Sequence, residues 1–110
     1  MLRQMTDQKK IQLGFMITTS TESENTHTVV KLAEAALDQG LEVSIFLMCD
    51  GVYNMNSQPL EALAERGAEL SLCAHNAAER MLEKKGPVLF RSQYELANIV
   101  ADVDRFLAFN

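Results

Sequence analysis

The sequence predicts an α/β fold of three layers, α/β/α, around a mostly parallel five-stranded sheet. Three observations carry that expectation. Apolar runs of strand length recur five times along the chain. Each of the first four leads, directly or through a loop, into a stretch whose apolar residues repeat at helical spacing. The alternation closes on a strand. Apolar strands alternating with helices form parallel sheets covered on both faces, through right-handed crossovers.

The elements follow in order. Residues 1–10 (MLRQMTDQKK) are a polar tail, and residues 11–110 form a single domain. Ile11–Ile17 (IQLGFMI) is the first strand, and TTSTESENT after it is a polar loop. A helix begins near Thr26, capped by Asn25 or Thr26, with Val29, Leu32, Ala33 and Ala36 on its inner stripe and Gly40 at its C′ position. Leu41–Met48 is the second strand, and CDGVYNMNSQ is a loop. Pro59 and Gly67 bracket LEALAER as a short helix. Ala68–Leu72 is the third strand. From Ala74 a helical face runs through Ala77, Ala78, Met81 and Leu82, until Gly86-Pro87 stops it. Val88–Phe90 is a brief fourth strand. Ser92 and Glu95 form a capping box for a helix whose Leu96, Ile99, Val100 and Val103 face inward. Arg105–Phe109 is the last strand.

Composition narrows the function classes. The chain has 110 residues, 47% of them apolar and 23% charged, enough to close one core. The net charge is −5, with no basic cluster to serve nucleic acid. No apolar run reaches bilayer length, and the N-terminus lacks the apolar stretch of a secretory signal. A cytoplasmic protein with two reduced cysteines is the expectation.

Ligands of open α/β sheets bind beyond the carboxyl ends of the strands. Two strand ends there carry cysteine: Cys49, followed by Asp50 and Gly51, and Cys73, followed by a helix. His27 and His75 fall near the same edge. Cys73 sits at or beside a helix N-cap, where unpaired N–H groups and the helix dipole stabilise a thiolate. The other reading is packing, since free cysteine is among the most buried residue types. Asp50 opposes a thiolate at Cys49. There is no CxxC pair, no Gly-rich nucleotide loop and no compact zinc spacing, so neither a cofactor nor a metal is expected. Met16, Met48 and Met81 read as core. Arg80 reads as a solvated residue that could otherwise steer an anionic sulfur species.

Three stretches carry a resemblance to the DsrE/TusD family of small sulfur-relay proteins. They are VSIFLMCDGVYNMN, ELSLCAHNAAER and YELANIVADVDRFLAF, the last with Asp104-Arg105 between helix and strand. The resemblance implies the DsrEFH-like five-stranded fold, a persulfide carried on Cys73 from a donor protein to an acceptor protein, and a homo-oligomer of two, three or six subunits. Cys49, Asp50, His75 and His27 are candidate accessories at the same rim. Where TusD-like members have Arg-Arg-Gly, this chain has Glu79-Arg80-Met81, and its connection from Asn56 is shorter. A homo-oligomeric DsrE-like protein therefore fits better than the tRNA-thiolation subunit. Burial of some of Val52, Tyr53 and Met55 against a neighbouring subunit is expected on physical grounds too. The alternatives are a non-catalytic module, for assembly or small-anion binding, and a metal-binding sensor using both cysteines and both histidines.

Overall fold

The computed structural model describes residues 10–110, so the expected tail lies outside it apart from Lys10. The strands are β1 (Gln12–Ile17), β2 (Glu42–Leu47), β3 (Glu69–Cys73), β4 (Leu89–Arg91) and β5 (Arg105–Phe109). The α-helices are α1 (Glu24–Asp38), α2 (Gln58–Glu65), α3 (Ala74–Glu79) and α4 (Gln93–Asp102). A 3-10 helical segment, Cys49–Asn56, connects β2 to α2. The sheet order is β4-β3-β2-β1-β5, and every pairing is parallel. The five-stranded α/β expectation is met.

Alternation along the strands divides the core. Phe15, Ile17, Ile45, Leu47, Leu70 and Leu72 pack with Val29, Val30, Ala33 and Ala36 of α1 and with Leu60 and Leu63 of α2. On the opposite face Phe46 and Cys73 pack with Ile99 of α4, flanked by Met48, Leu96, Val103 and Phe106. One face therefore carries α1 and α2, with Ala77 of α3 in the same cluster, and the other carries α4. Asp104 clamps the β1–β5 edge: its carboxylate accepts the Gln12 N–H and its own N–H donates to Gln12 O, both at 2.8 Å. Among the described residues no helix is long and apolar enough to cross a membrane.

Several local expectations are corrected. Ser23, not Asn25 or Thr26, caps α1, its hydroxyl accepting the Asn25 N–H at 3.1 Å. Leu32 is 42% exposed and Val30 takes its place on the buried stripe. The DGVYN stretch is not a loop: it coils inward as 3-10 helix, and Val52 and Met55 lie in the protomer's own core, not on a surface awaiting a neighbour. Burying two such side chains contributes about 1.5–3 kcal/mol each. That outweighs the left-handed backbone at Cys49, φ 54°, which costs about 1–2 kcal/mol.

α3 is shorter than expected. It ends at Glu79, and Met81 takes a left-handed φ of 58° and is 90% exposed, so it is no core residue. Val100 is likewise exposed, because α4 turns only Ile99 fully inward. Ser92 caps α4 through the Tyr94 N–H, but Glu95 does not complete a capping box. Its carboxylate binds Arg91 at 2.7 Å instead.

Candidate functional site

Because the sheet is parallel, β2 and β3 deliver Cys49 and Cys73 to the same carboxyl edge. Cys73 is the last residue of β3 and the N-cap of α3. Its side chain points to the α4 face, opposite to Leu72, and the residue is 1% exposed. Its sulfur accepts the backbone N–H of Asn76 at 3.4 Å, the role a serine oxygen plays at an ordinary N-cap.

Cys73 is one of the residues lining an open cavity of about 500 Å³. Cys73, Ala74 and His75 form one side, and Phe90 to Gln93 form the other. Arg91 is the direct register partner of Cys73 on β4. Its guanidinium lies between Glu95 at 2.7 Å and Glu69 at 3.5 Å, so its charge is shared by two carboxylates. His75 stands at the cavity rim, its side chain 79% exposed and 3.4 Å from Glu79.

Cys49 is exposed and lies outside that cavity wall. Its backbone N–H donates to the Asn76 side-chain oxygen at 2.8 Å, so one residue ties the Cys49 backbone to the Cys73 sulfur. Asp50, next in sequence, accepts two hydrogen bonds from Arg80 at 2.9 and 3.1 Å. Arg80 also donates to Asn76 O at 3.0 Å. It is therefore a clip between the 3-10 segment and α3, not a free cation. The hydrogen bond to Asp50 raises the Arg80 pKa above its ordinary value, with desolvation opposing and further help from the charges of Asp50, Tyr53 and Glu79.

Asn54, fully buried, holds the 3-10 segment against the β1–α1 connection. Its amide donates to Thr19 O and Gly51 O, each at 3.0 Å, and its oxygen accepts the Thr26 hydroxyl at 2.8 Å. Gly51 is required by a close approach, since a Cβ there would run into the Ile17 carbonyl oxygen.

His27 stands apart from the cavity. It lines a separate depression with Thr21, Ser23, Thr26, Val30 and Pro59, which shares no residue with the Cys73 cavity. Among the described residues no three His, Cys, Asp or Glu side chains converge to hold a metal ion. Asn76 and Arg91 are the site residues that sequence reasoning missed. The only sequence signal for Asn76 is its place three residues after Cys73, where a cap receives its N–H. For Arg91 it is the i, i+4 spacing to Glu95.

Among curated proteins none matches this sequence. Among solved structures the fold is similar to that of the YchN protein from E. coli, with a TM-score of 0.76 and 20% identity over 92% of this chain and 100% of that one. It is also similar to a conserved protein of unknown function from Bacteroides thetaiotaomicron, with a TM-score of 0.74 and 13% identity over 89% of this chain and 94% of that one. At these identities the likeness speaks for the fold. The sequence itself matches the model of the DsrE/DsrF-like family over residues 12–109, nearly the whole described chain. The protein belongs to the DsrE/DsrF-like family.

Proposed function

We propose that the protein is a sulfur carrier: Cys73 accepts sulfane sulfur as a persulfide and passes it to a partner protein in intracellular sulfur metabolism. The observation that carries this reading is Cys73 at the wall of an open cavity, with the Asn76 N–H on its sulfur. The Cys73 thiolate attacks the terminal sulfur of a donor persulfide, forming Cys73–S–SH and releasing the donor as a thiolate. An acceptor nucleophile later takes the terminal sulfur and returns the Cys73 thiolate. The residue's 1% exposure keeps thiols in bulk solvent from the Cys73 sulfur itself. Family membership supports a role in sulfur relay.

The test is intact mass after brief anaerobic exposure to polysulfide. Wild type and Cys49→Ser gain sulfur, and Cys73→Ser does not. Equal loading of Cys73→Ser would remove Cys73 from the role.

Cytoplasmic residence and homo-oligomeric assembly, as dimer, trimer or hexamer, belong to the same proposal. The exposed Tyr94, Val100 and Leu107 support assembly, and light scattering showing a monomer at working concentrations would count against it. The near-complete burial of Cys73 favours a second reading, a non-catalytic module for assembly or small-anion binding. Failure of every variant to load would select it.

A further inference from the structure

The chain has two cysteines, and they follow the ends of neighbouring, directly paired strands. Leu47 of β2 pairs with Leu72 of β3. Met48 keeps an extended backbone, φ −139° and ψ 161°, and its N–H still donates to Ile17 O at 3.0 Å. β2 thus runs on past its last paired residue, and Met48 stands opposite Cys73. Cys49 follows one rise further. With strands about 4.8 Å apart and a rise of about 3.3 Å, the two cysteine Cα atoms lie on the order of 6 Å apart. That falls within the roughly 4.4–6.8 Å that a disulfide spans. Asn76 pins both sides, holding the Cys49 N–H on its oxygen and giving its own N–H to the Cys73 sulfur.

Cys49 and the cavity lie on opposite sides of β3. The sheet order is β4-β3-β2. The cavity at Cys73 opens toward β4, walled there by Phe90 and Arg91, while Cys49 follows β2 and takes no part in that wall. A sulfur added to Cys73 has room on the β4 side. Displacement at sulfur needs the incoming and leaving atoms on opposite sides of the sulfur attacked. Cys49 is on the side from which the Cys73 sulfur, and not the added one, is reached.

We propose that Cys49 is a resolving thiol, which displaces the sulfur carried on Cys73 as sulfide and closes a Cys49–Cys73 disulfide. The inference rests on the carrier reading of Cys73. The Cys49 thiolate attacks the inner sulfur of Cys73–S–SH. The Cys49–Cys73 S–S bond forms, the bond to the terminal sulfur breaks, and that sulfur departs as HS⁻ with its proton and the electron pair. The sulfane sulfur is reduced by two electrons and the two cysteines are oxidised to the disulfide, so no outside oxidant takes part. A dithiol reductant then returns both cysteines to thiols. The protein thereby has two outlets for its cargo, sulfane sulfur to an acceptor or sulfide to solution.

The experiment loads wild type, Cys49→Ser and Cys73→Ser with polysulfide anaerobically, desalts them at once, and follows free sulfide and intact mass with no thiol added. Wild type is expected to release one sulfide per loaded chain and end two hydrogen atoms lighter than the reduced protein. Peptide mapping then shows Cys49 joined to Cys73 within one chain, at a rate unchanged by dilution. Cys49→Ser is expected to keep its added sulfur. The inference is overturned if wild type keeps its sulfur as long as Cys49→Ser does. It is equally overturned if the sulfur is found on the Cys49 peptide, or if the disulfide joins two chains. A Cys49→Ser protein that never loads marks the different failure, that of the carrier reading, and the inference falls with it.

Discussion

The side chain of Asn76 accepts the backbone N–H of Cys49 at 2.8 Å, across the gap between α3 and the 3-10 segment. That contact and the N–H that Asn76 gives to Cys73 are separable, because one uses the side chain and the other the backbone. Asn76→Ala should remove the first and keep the second. We expect a stability loss of about 1 kcal/mol, read from the urea midpoint. Sulfur loading on Cys73 should persist, while an alkylating reagent reacts faster with Cys49.

Gly51→Ala is expected to be far more damaging. The added methyl meets the Ile17 carbonyl, which cannot retreat without losing the Met48 N–H it accepts at 3.0 Å. A cost of about 3 kcal/mol or more, the upper end for overpacking, should appear in denaturant unfolding. A Gly51→Ala protein as stable as wild type would show that the segment shifts freely.

Asn54→Leu keeps the side chain's bulk but leaves the Thr19 and Gly51 carbonyls without their amide donor and the Thr26 hydroxyl without its acceptor. Unmet buried groups of this kind cost on the order of 1–3 kcal/mol each where water cannot reach them. Unfolding should move to lower denaturant, and amide exchange should quicken first in residues 49–56.

These contacts mark where the sequence could be read and where it could not. The strands were legible because their apolar runs are continuous, and parallel order followed from alternation with helices. The position of Cys73 at the meeting of β3 and α3 was legible for the same reason. The cap of α1 was not, because TTSTESENT offers several residues able to cap and only the fold selects Ser23. CDGVYNMN read as a loop because Gly51 and two asparagines mask its one signal, the three-residue spacing of Val52 and Met55. Met81 read as core because its spacing continues the α3 face, yet the chain leaves the helix at Arg80. Arg80 itself finds its partner thirty residues earlier in the chain, a pairing no local pattern announces.

Ser71 supplies a prediction of opposite sign. It lies on β3 opposite Phe46, on the same face as Cys73, fully buried, and its hydroxyl has no hydrogen-bond partner among the described residues. An unpaired buried hydroxyl opposes folding, so Ser71→Ala should be neutral or raise stability by roughly 0.5–1 kcal/mol. A loss above about 1 kcal/mol would mean the hydroxyl has found a partner or that its volume matters.

The sheet order has a consequence for synthesis. β1 can pair with β2 as soon as both have emerged, and β3 and β4 then add outward in turn. Its other edge must wait for β5, the last of these five strands to emerge, and the clamp between Gln12 and Asp104 joins residues 92 positions apart. Until β5 emerges, a hydrophobic strand stands with one row of backbone groups unpaired, a template for pairing with another nascent chain. Chains truncated before Arg105 should therefore be the aggregating species, held in solution only while a chaperone covers the β1 edge.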